Sequence, residues 1–215
     1  SMAFKSFSFR SVAGKLAAVF SFIVLVFAVF IGVVFYTSER AAVENAVAAN
    51  AIRLATAISS RFDAPLYSEF LEEPQENEIY WTLRRRLDDI RNNTGALYVY
   101  TMRVDEKNNA YIMIDGQPEN SDVASPINEP AFEEGTADYI GTVLAGNTAS
   151  TPVVNDPLYG MYLSAYAPIR DADGRVIGIL GVDIDASDLE EIVGLVLRKS
   201  VPIFAGVIVL TLLAL

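Results

Sequence analysis

Residues 160–185 read GMYLSAYAPIRDADGRVIGILGVDID. Two runs rich in β-branched and aromatic residues, MYLSAYAPIR (161–170) and RVIGILGVDID (175–185), flank Asp171-Ala172-Asp173-Gly174. Such runs around a polar turn predict an antiparallel hairpin. The same texture occurs earlier, where ALYVYTMRV (96–104) and AYIMID (110–115) enclose the turn Asp105–Asn109. A short strand near 152–155 completes a set of about five. Strands joined by tight turns pair antiparallel, so one sheet is expected.

Helical patterns surround the sheet. AAVENAVAANAIRLATAISSRF (41–62) has abundant alanine and no Gly or Pro, with Val43, Val47, Leu54 and Ile58 on one stripe and Ala51 between them. This predicts one helix to about Phe62, with a narrow stripe suited to a domain face or to a parallel partner helix. Asn50 lies near that seam. Asp63-Ala64-Pro65 and Glu72-Glu73-Pro74 are breaks. Asn77–Asn93 predicts a second helix with Ile79, Leu83, Leu87 and Ile90 inward, and Arg84, Arg85 and Arg86 are read as a solvated face. Residues 116–130 form a loop, and 131–146 a helix with Phe132, Tyr139, Val143 and Leu144 inward. Ser187 is expected to cap an exit helix, with Glu190 at capping-box distance. The fold class is therefore α+β: a long N-terminal helix on one face of the sheet, and the 116–147 loop and helix over the other, where a pocket can form.

The 215 residues are 52% hydrophobic and include no Cys and no His. That removes thiol nucleophiles, His-containing triads, iron–sulfur clusters and His-ligated haem or zinc. A net charge of −11 argues against nucleic-acid binding. The apolar residues are concentrated at the ends. LAAVFSFIVLVFAVFIGVVFY (16–36) has no charge over 21 residues, about 31 Å of helix, which is the thickness of a bilayer core. Val201–Leu215 is again uncharged, and we read 200–215 as a second membrane helix inside which the sequence ends. Residues 1–15 hold Lys5, Arg10 and Lys15 and no acid, whereas 37–199 hold the other 13 basic and all 27 acidic residues. By the positive-inside rule, 1–15 is cytoplasmic and 37–199 is an extracytoplasmic domain. The expected location is the cytoplasmic (inner) membrane, with two passes.

LYVYTMRVDEKNNAYIMIDG (97–116) followed by GMYLSAYAPIRDADGRVIGILGVDID (160–185) resembles the single Cache sensor domains, PAS-like and PDC-type, of bacterial transmembrane receptors. The resemblance covers about 37–190. It implies sensing of a small molecule outside the cell and control of a histidine kinase, a diguanylate cyclase or a chemotaxis module inside. It also implies that Asp183 stands where amine-recognising relatives hold the ligand's ammonium. A strand-end carboxylate capping the next turn is the other reading of Asp183. The Arg-x-Trp-Tyr element of amino-acid-binding relatives is absent, and Trp81 lies in a different helix.

Alternation places Tyr98, Tyr100 and Met102 on one face of the first strand, Tyr111 and Met113 on one face of the second, and Tyr162, Ser164 and Tyr166 on one face of the fourth. Tyrosines line pockets and cores alike. The candidate ligand-binding residues are Tyr100, Asp115, Tyr166 and Asp183, with Asp115-Gly116 either facing the pocket or closing the strand. Asp105, Asp171 and Asp173 belong to turns. No catalytic residue, metal site or cofactor is expected, since the domain holds only Lys107 and Lys199 and no Ser-x-x-Lys. The expected partners are an unknown small molecule, the membrane and a second copy in a homodimer, met along the 43–58 stripe. The alternative function is an extracytoplasmic dimerisation or protein-interaction module without a small ligand.

Overall fold

The computed structural model describes residues 12–131, 136–157 and 160–213. Contacts divide the chain into two units, 44–188 and a second made of both ends.

The 44–188 unit is built on one antiparallel sheet. Its strands are β1 (Tyr98–Val104), β2 (Ala110–Asp115), β3 (Glu129–Pro130), β4 (Ala149–Ser150), β5 (Val154–Asp156), β6 (Gly160–Arg170) and β7 (Val176–Asp185). The order is β3-β2-β1-β7-β6-β4, with β5 also on β6. All five expected strands are present, and the loops on either side of α4 (Thr136–Leu144) add two-residue strands at the edges. Both predicted hairpins form: β1 pairs with β2, and β6 with β7 over nearly their full length. The turn acids close them. Asp105 accepts from the Lys107 and Asn109 amides, and Asp171 from those of Asp173 and Arg175.

The long helix α1 runs without a break from Val12 to Ser59. Within the domain, Ala51 and Ala55 are fully buried and Ile58 nearly so, in one core with Val99, Leu163, Leu180 and Val182 of the sheet. Val47 and Leu54 pack against the same core. From Val47 to Ile58, the stripe read as a possible dimer seam is thus packed into the chain's own core. Asn50 faces outward and accepts from Arg53 at 3.4 Å.

Between the two breaks the chain forms α2 (Ala64–Glu72), a short helix absent from the sequence reading. Asp63 caps it through the Leu66 amide, and Pro65 fits the first turn, where no amide partner is needed. The helix α3 (Glu78–Thr94) starts at its Asn77 cap. Leu83 and Leu87 are buried as expected, but so is Arg84. This corrects the reading of three solvated arginines. The Arg84 guanidinium lies 5.2 Å from the Trp81 ring centroid and donates to the carbonyls of Gln117 and Pro118 and to the Tyr80 hydroxyl, at 2.8–2.9 Å.

Two further details differ. In α4, Ile140 and Val143 are buried, whereas Leu144 is exposed; Phe132 lies outside the described residues. The last helix, α5 (Leu189–Leu213), opens one residue later than a Ser187 cap requires. The Ser187 amide instead donates to Asp185 at 2.8 Å.

In the unit of chain ends, α1 from residue 14 onward is apolar and long enough to cross a membrane. Its large side chains, Phe22, Phe27 and Phe30 among them, are exposed all around the helix, as on a lipid-facing span. Arg40 of α1 pairs with Glu190 of α5 at 2.8 Å.

Candidate functional site

Alternation divides the side chains of β1 between two environments. Val99 enters the core shared with α1 and α3, whereas Tyr98, Tyr100 and Met102 rise on the other face. On β7 the same rule sends Leu180 and Val182 to the core and Ile179, Gly181 and Asp183 to the opposite side. On β6 it sends Leu163 and Ala165 to the core, with Tyr162, Ser164 and Tyr166 facing away. In β2 a bulge intervenes. Thr101 pairs with Ile114 but Met102 pairs with Ile112, so Met113 is an extra residue. The bulge lets both Ile112 and Asp115 reach the pocket face, while Tyr111 and Met113 pack with the main core.

These faces enclose a cavity of about 300 Å³. Its floor is Tyr98, Tyr100, Met102, Tyr162, Tyr166 and Asp183 of the sheet, and residues 123–131 supply its cover. Tyr100, Asp115, Tyr166 and Asp183 all line it, brought together from four strands. Sequence reasoning did not anticipate the cover residues Val123, Ser125 and Glu129, because a loop carries no periodicity to read.

Two carboxylates stand on either side of β1. Asp183 pairs in register with Tyr98, and Asp115 with Tyr100. Asp183 is only 8% exposed and accepts from the Tyr100 hydroxyl at 3.2 Å. Gly181 makes that bond possible, since the Tyr100 ring lies where a Cβ on residue 181 would stand. The following turn is capped by Asp185, whose carboxylate accepts from Ser187.

Asp115 is 4% exposed. Its Oδ2 accepts from the Ser125 amide at 2.8 Å, and its Oδ1, closed to solvent, has no hydrogen-bond partner within 3.5 Å among the described residues, the Gln117 amide being near the carboxylate. Burial pushes its carboxyl up to about 6, against the lowering effects of the Ser125 amide and Arg84. The next residue, Gly116, sits where any Cβ would collide with Leu87 of α3 and the Val99 carbonyl, so β2 ends pressed against α3. Arg84 and Arg91 then grip the carbonyls of residues 116–118, which fixes the root of the cover loop. Among the described residues no lysine or arginine lines the cavity, whereas Asp115, Asp183 and Glu129 do.

The fold is similar to that of a solved sensor domain. The sensor domain of the V. cholerae histidine kinase DctB matches with a TM-score of 0.56 at 17% identity, over 76% of this chain and 58% of that one. The E. coli DcuS sensor domain matches at 0.46 and 18% identity, over 69% and 96%. The ligand-binding domain of the Campylobacter jejuni chemoreceptor Tlp3 in complex with L-norvaline matches at 0.39 and 21% identity, over 71% and 63%. The chain thus spans 58% of the length of the DctB sensor domain. No family model and no curated protein matches the sequence. The likeness to DctB shows the fold alone: a long N-terminal helix and one antiparallel sheet, arranged as in that sensor domain.

Proposed function

We propose that this chain is the sensing part of a bacterial transmembrane receptor. Residues 16–36 and 200–215 cross the cytoplasmic membrane, residues 1–15 lie inside, and 37–199 form the extracytoplasmic sensor. A small molecule binds in the cavity, and the signal passes through the second membrane helix to a cytoplasmic histidine kinase, diguanylate cyclase or chemotaxis module. The chain itself carries no catalysis. The observation that supports this reading most is the convergence of Tyr100, Asp115, Tyr166 and Asp183 on one cavity. Buried polar groups inside an aromatic-lined hollow suit ligand recognition better than a packing core does. Asp183 serves as the acceptor for a cationic group, a role a carboxylate fills through a charge-assisted hydrogen bond.

The receptor acts as a homodimer joined along α1. The Val47–Ile58 stripe is occupied by the chain's own core, so the contact uses the outward face bearing Ala42, Ala46 and Ala49, all of them exposed. Single cysteines along 40–58 read this directly, as the chain has no native Cys. Crosslinks at 42, 46 and 49 are expected in membranes, and their absence at every position removes the dimer.

The ligand reading is tested by thermal unfolding of the full chain in detergent micelles against a panel of amines, amino acids, carboxylic acids and sugars. A true ligand raises the melting temperature by mass action. Asp183→Asn and Tyr166→Ala should abolish that rise while the unliganded protein stays folded. A panel in which nothing stabilises the wild type, or in which stabilisation survives both substitutions, contradicts the reading.

A further inference from the structure

We infer that Asp115 makes the cavity sensitive to pH: neutral, it keeps the cover loop 117–128 seated on the sheet; ionised, it loosens that loop and opens the cavity. The inference concerns the regulation of the hollow read above as the ligand site, and it stands on the geometry at the end of β2.

The loop is held firmly at both ends. At its root, Arg84 and Arg91 of α3 donate to the carbonyls of residues 116–118, and Gln117 Nε2 donates to the Leu97 carbonyl at 3.1 Å. At its return, the Asn128 amide donates to the Ile112 carbonyl at 2.8 Å, β3 pairs with β2, and Ile127 packs against the main core. In between, the amides of Ser121, Val123 and Ala124 bond within the loop itself. Among the described residues, one hydrogen bond ties the stretch 119–127 to the sheet, from the Ser125 amide to Asp115 Oδ2. Val123 and Ser125 of that stretch line the cavity, so its seating sets how far the cavity is closed.

The acceptor in that tie is badly placed to carry charge. Asp115 is buried, and its Oδ1 is closed to solvent with no hydrogen-bond partner among the described residues. Around it stand Tyr80, Arg84 and Arg91 of α3, the amides of Gln117 and Ser125 in the loop, and, about the cavity, Glu129 of β3, Asp183 of β7, Tyr98 and Tyr100 of β1, and Tyr162 and Tyr166 of β6. Both guanidinium groups bind the carbonyls of the loop root, and burial outweighs their pull on the carboxyl. Once ionised, the group is stabilised by any motion that lets water reach it. Strand β2 cannot supply that motion, because it is paired with both β1 and β3 and Gly116 is pressed against Leu87 and the Val99 carbonyl. Lifting of residues 119–127 breaks the fewest bonds, and local opening follows such a path.

Closure is therefore linked to proton uptake. With the loop seated, burial pushes the Asp115 carboxyl up to about 6; with the loop lifted and water admitted, the carboxyl returns towards the ordinary aspartate value of 3.8. Between those values the seated form holds a proton that the lifted form has released. Seating is favoured in acid, its advantage falls as pH rises through that window, and above it the advantage is level. Over the whole window the open-to-closed ratio rises about a hundredfold.

The test is electron paramagnetic resonance of a nitroxide attached at Asn120→Cys, an exposed, uncharged loop position in a chain with no native Cys. The full chain in detergent micelles is measured at pH 4.5 and at pH 7.5. With Asp115 intact, the mobile fraction of the spectrum should be several-fold larger at pH 7.5. In the Asp115→Asn background it should be equally small at both pH values, and in the Glu129→Gln background the response should persist. A label at Lys107→Cys, in the exposed β1–β2 turn, should show no response. An unchanged spectrum with Asp115 intact overturns the inference without recourse to any acid variant, and so does greater mobility in acid. A response retained in full by Asp115→Asn, lost in Glu129→Gln, or equalled at residue 107 overturns it as well. No ligand enters the measurement, so this inference fails separately from the sensor reading, which the ligand screen decides.

Discussion

Asp115 couples the pocket to pH through its own burial. Burial raises its folded-state carboxyl to about 6, above the ordinary aspartate value of 3.8, so between those values the folded protein holds a proton that the unfolded chain has released. Stability therefore falls as pH rises from about 4 to about 6 and is level above that. A displacement of this size corresponds to roughly 2–3 kcal/mol. Asp115→Asn keeps an oxygen for the Ser125 amide and removes the charge. It should raise the unliganded melting temperature at pH 7.5 and clearly less at pH 4.5, as read by scanning fluorimetry at the two pH values. An equal change at both would place the effect in packing rather than charge. Gly181 is the second informative residue. A methyl there meets the Tyr100 ring and must push the hydroxyl away from Asp183. Gly181→Ala should cost about 1–3 kcal/mol in chemical denaturation, and Tyr100→Phe, which loses only the hydroxyl bond, about 1 kcal/mol.

At the scale of elements, α1 and α3 have different tasks. The buried side of α1 is made of alanines where it meets the sheet, so added bulk is not tolerated there. Ala55→Leu should destabilise by about 1–3 kcal/mol, while Ala49→Leu on the exposed side should change stability by less than about 0.5 kcal/mol. Urea unfolding of the two variants decides which face belongs to the chain's own core. The role of α3 is to hold the cover loop. Arg84→Met keeps the apolar stem but strands the Gln117 and Pro118 carbonyls, a loss of about 1–3 kcal/mol. Hydrogen exchange should speed up at residues 117–125 and stay unchanged in β6 and β7. These elements also show where sequence reading succeeds. The hairpins were legible because alternating β-branched and aromatic runs and polar turns obey a period of two, and α1 because alanine-rich apolar spacing obeys the helical period. The helix α2 escaped notice between two prolines, although Asp63 and Pro65 are a good start signal. The burial of Arg84 was not legible from its neighbours Tyr80 and Trp81 alone, since the carbonyls it binds are 33 and 34 residues away.

For the molecule as a whole, the candidate site was legible in part. Alternation placed Tyr98, Tyr100, Tyr162 and Tyr166 on shared faces, but only the strand order brings those faces together, and strand order depends on long-range pairing. Asp115 could be read either way from sequence, because the β2 bulge that turns it inward has no sequence signature here. Glu129 and Ser125 became visible only once the cover loop was seen over the sheet. The central claim is that this hollow is where the receptor meets its ligand. The most direct measurement is hydrogen–deuterium exchange of the full chain in micelles, alone and with whichever of 1,4-diaminobutane, n-butylamine, L-valine and succinate stabilises it most. The account predicts slowed exchange confined to residues 112–131 and to the pocket ends of β1, β6 and β7, and lost in Asp183→Asn. Protection confined to other segments, or retained in full by Asp183→Asn, would contradict it.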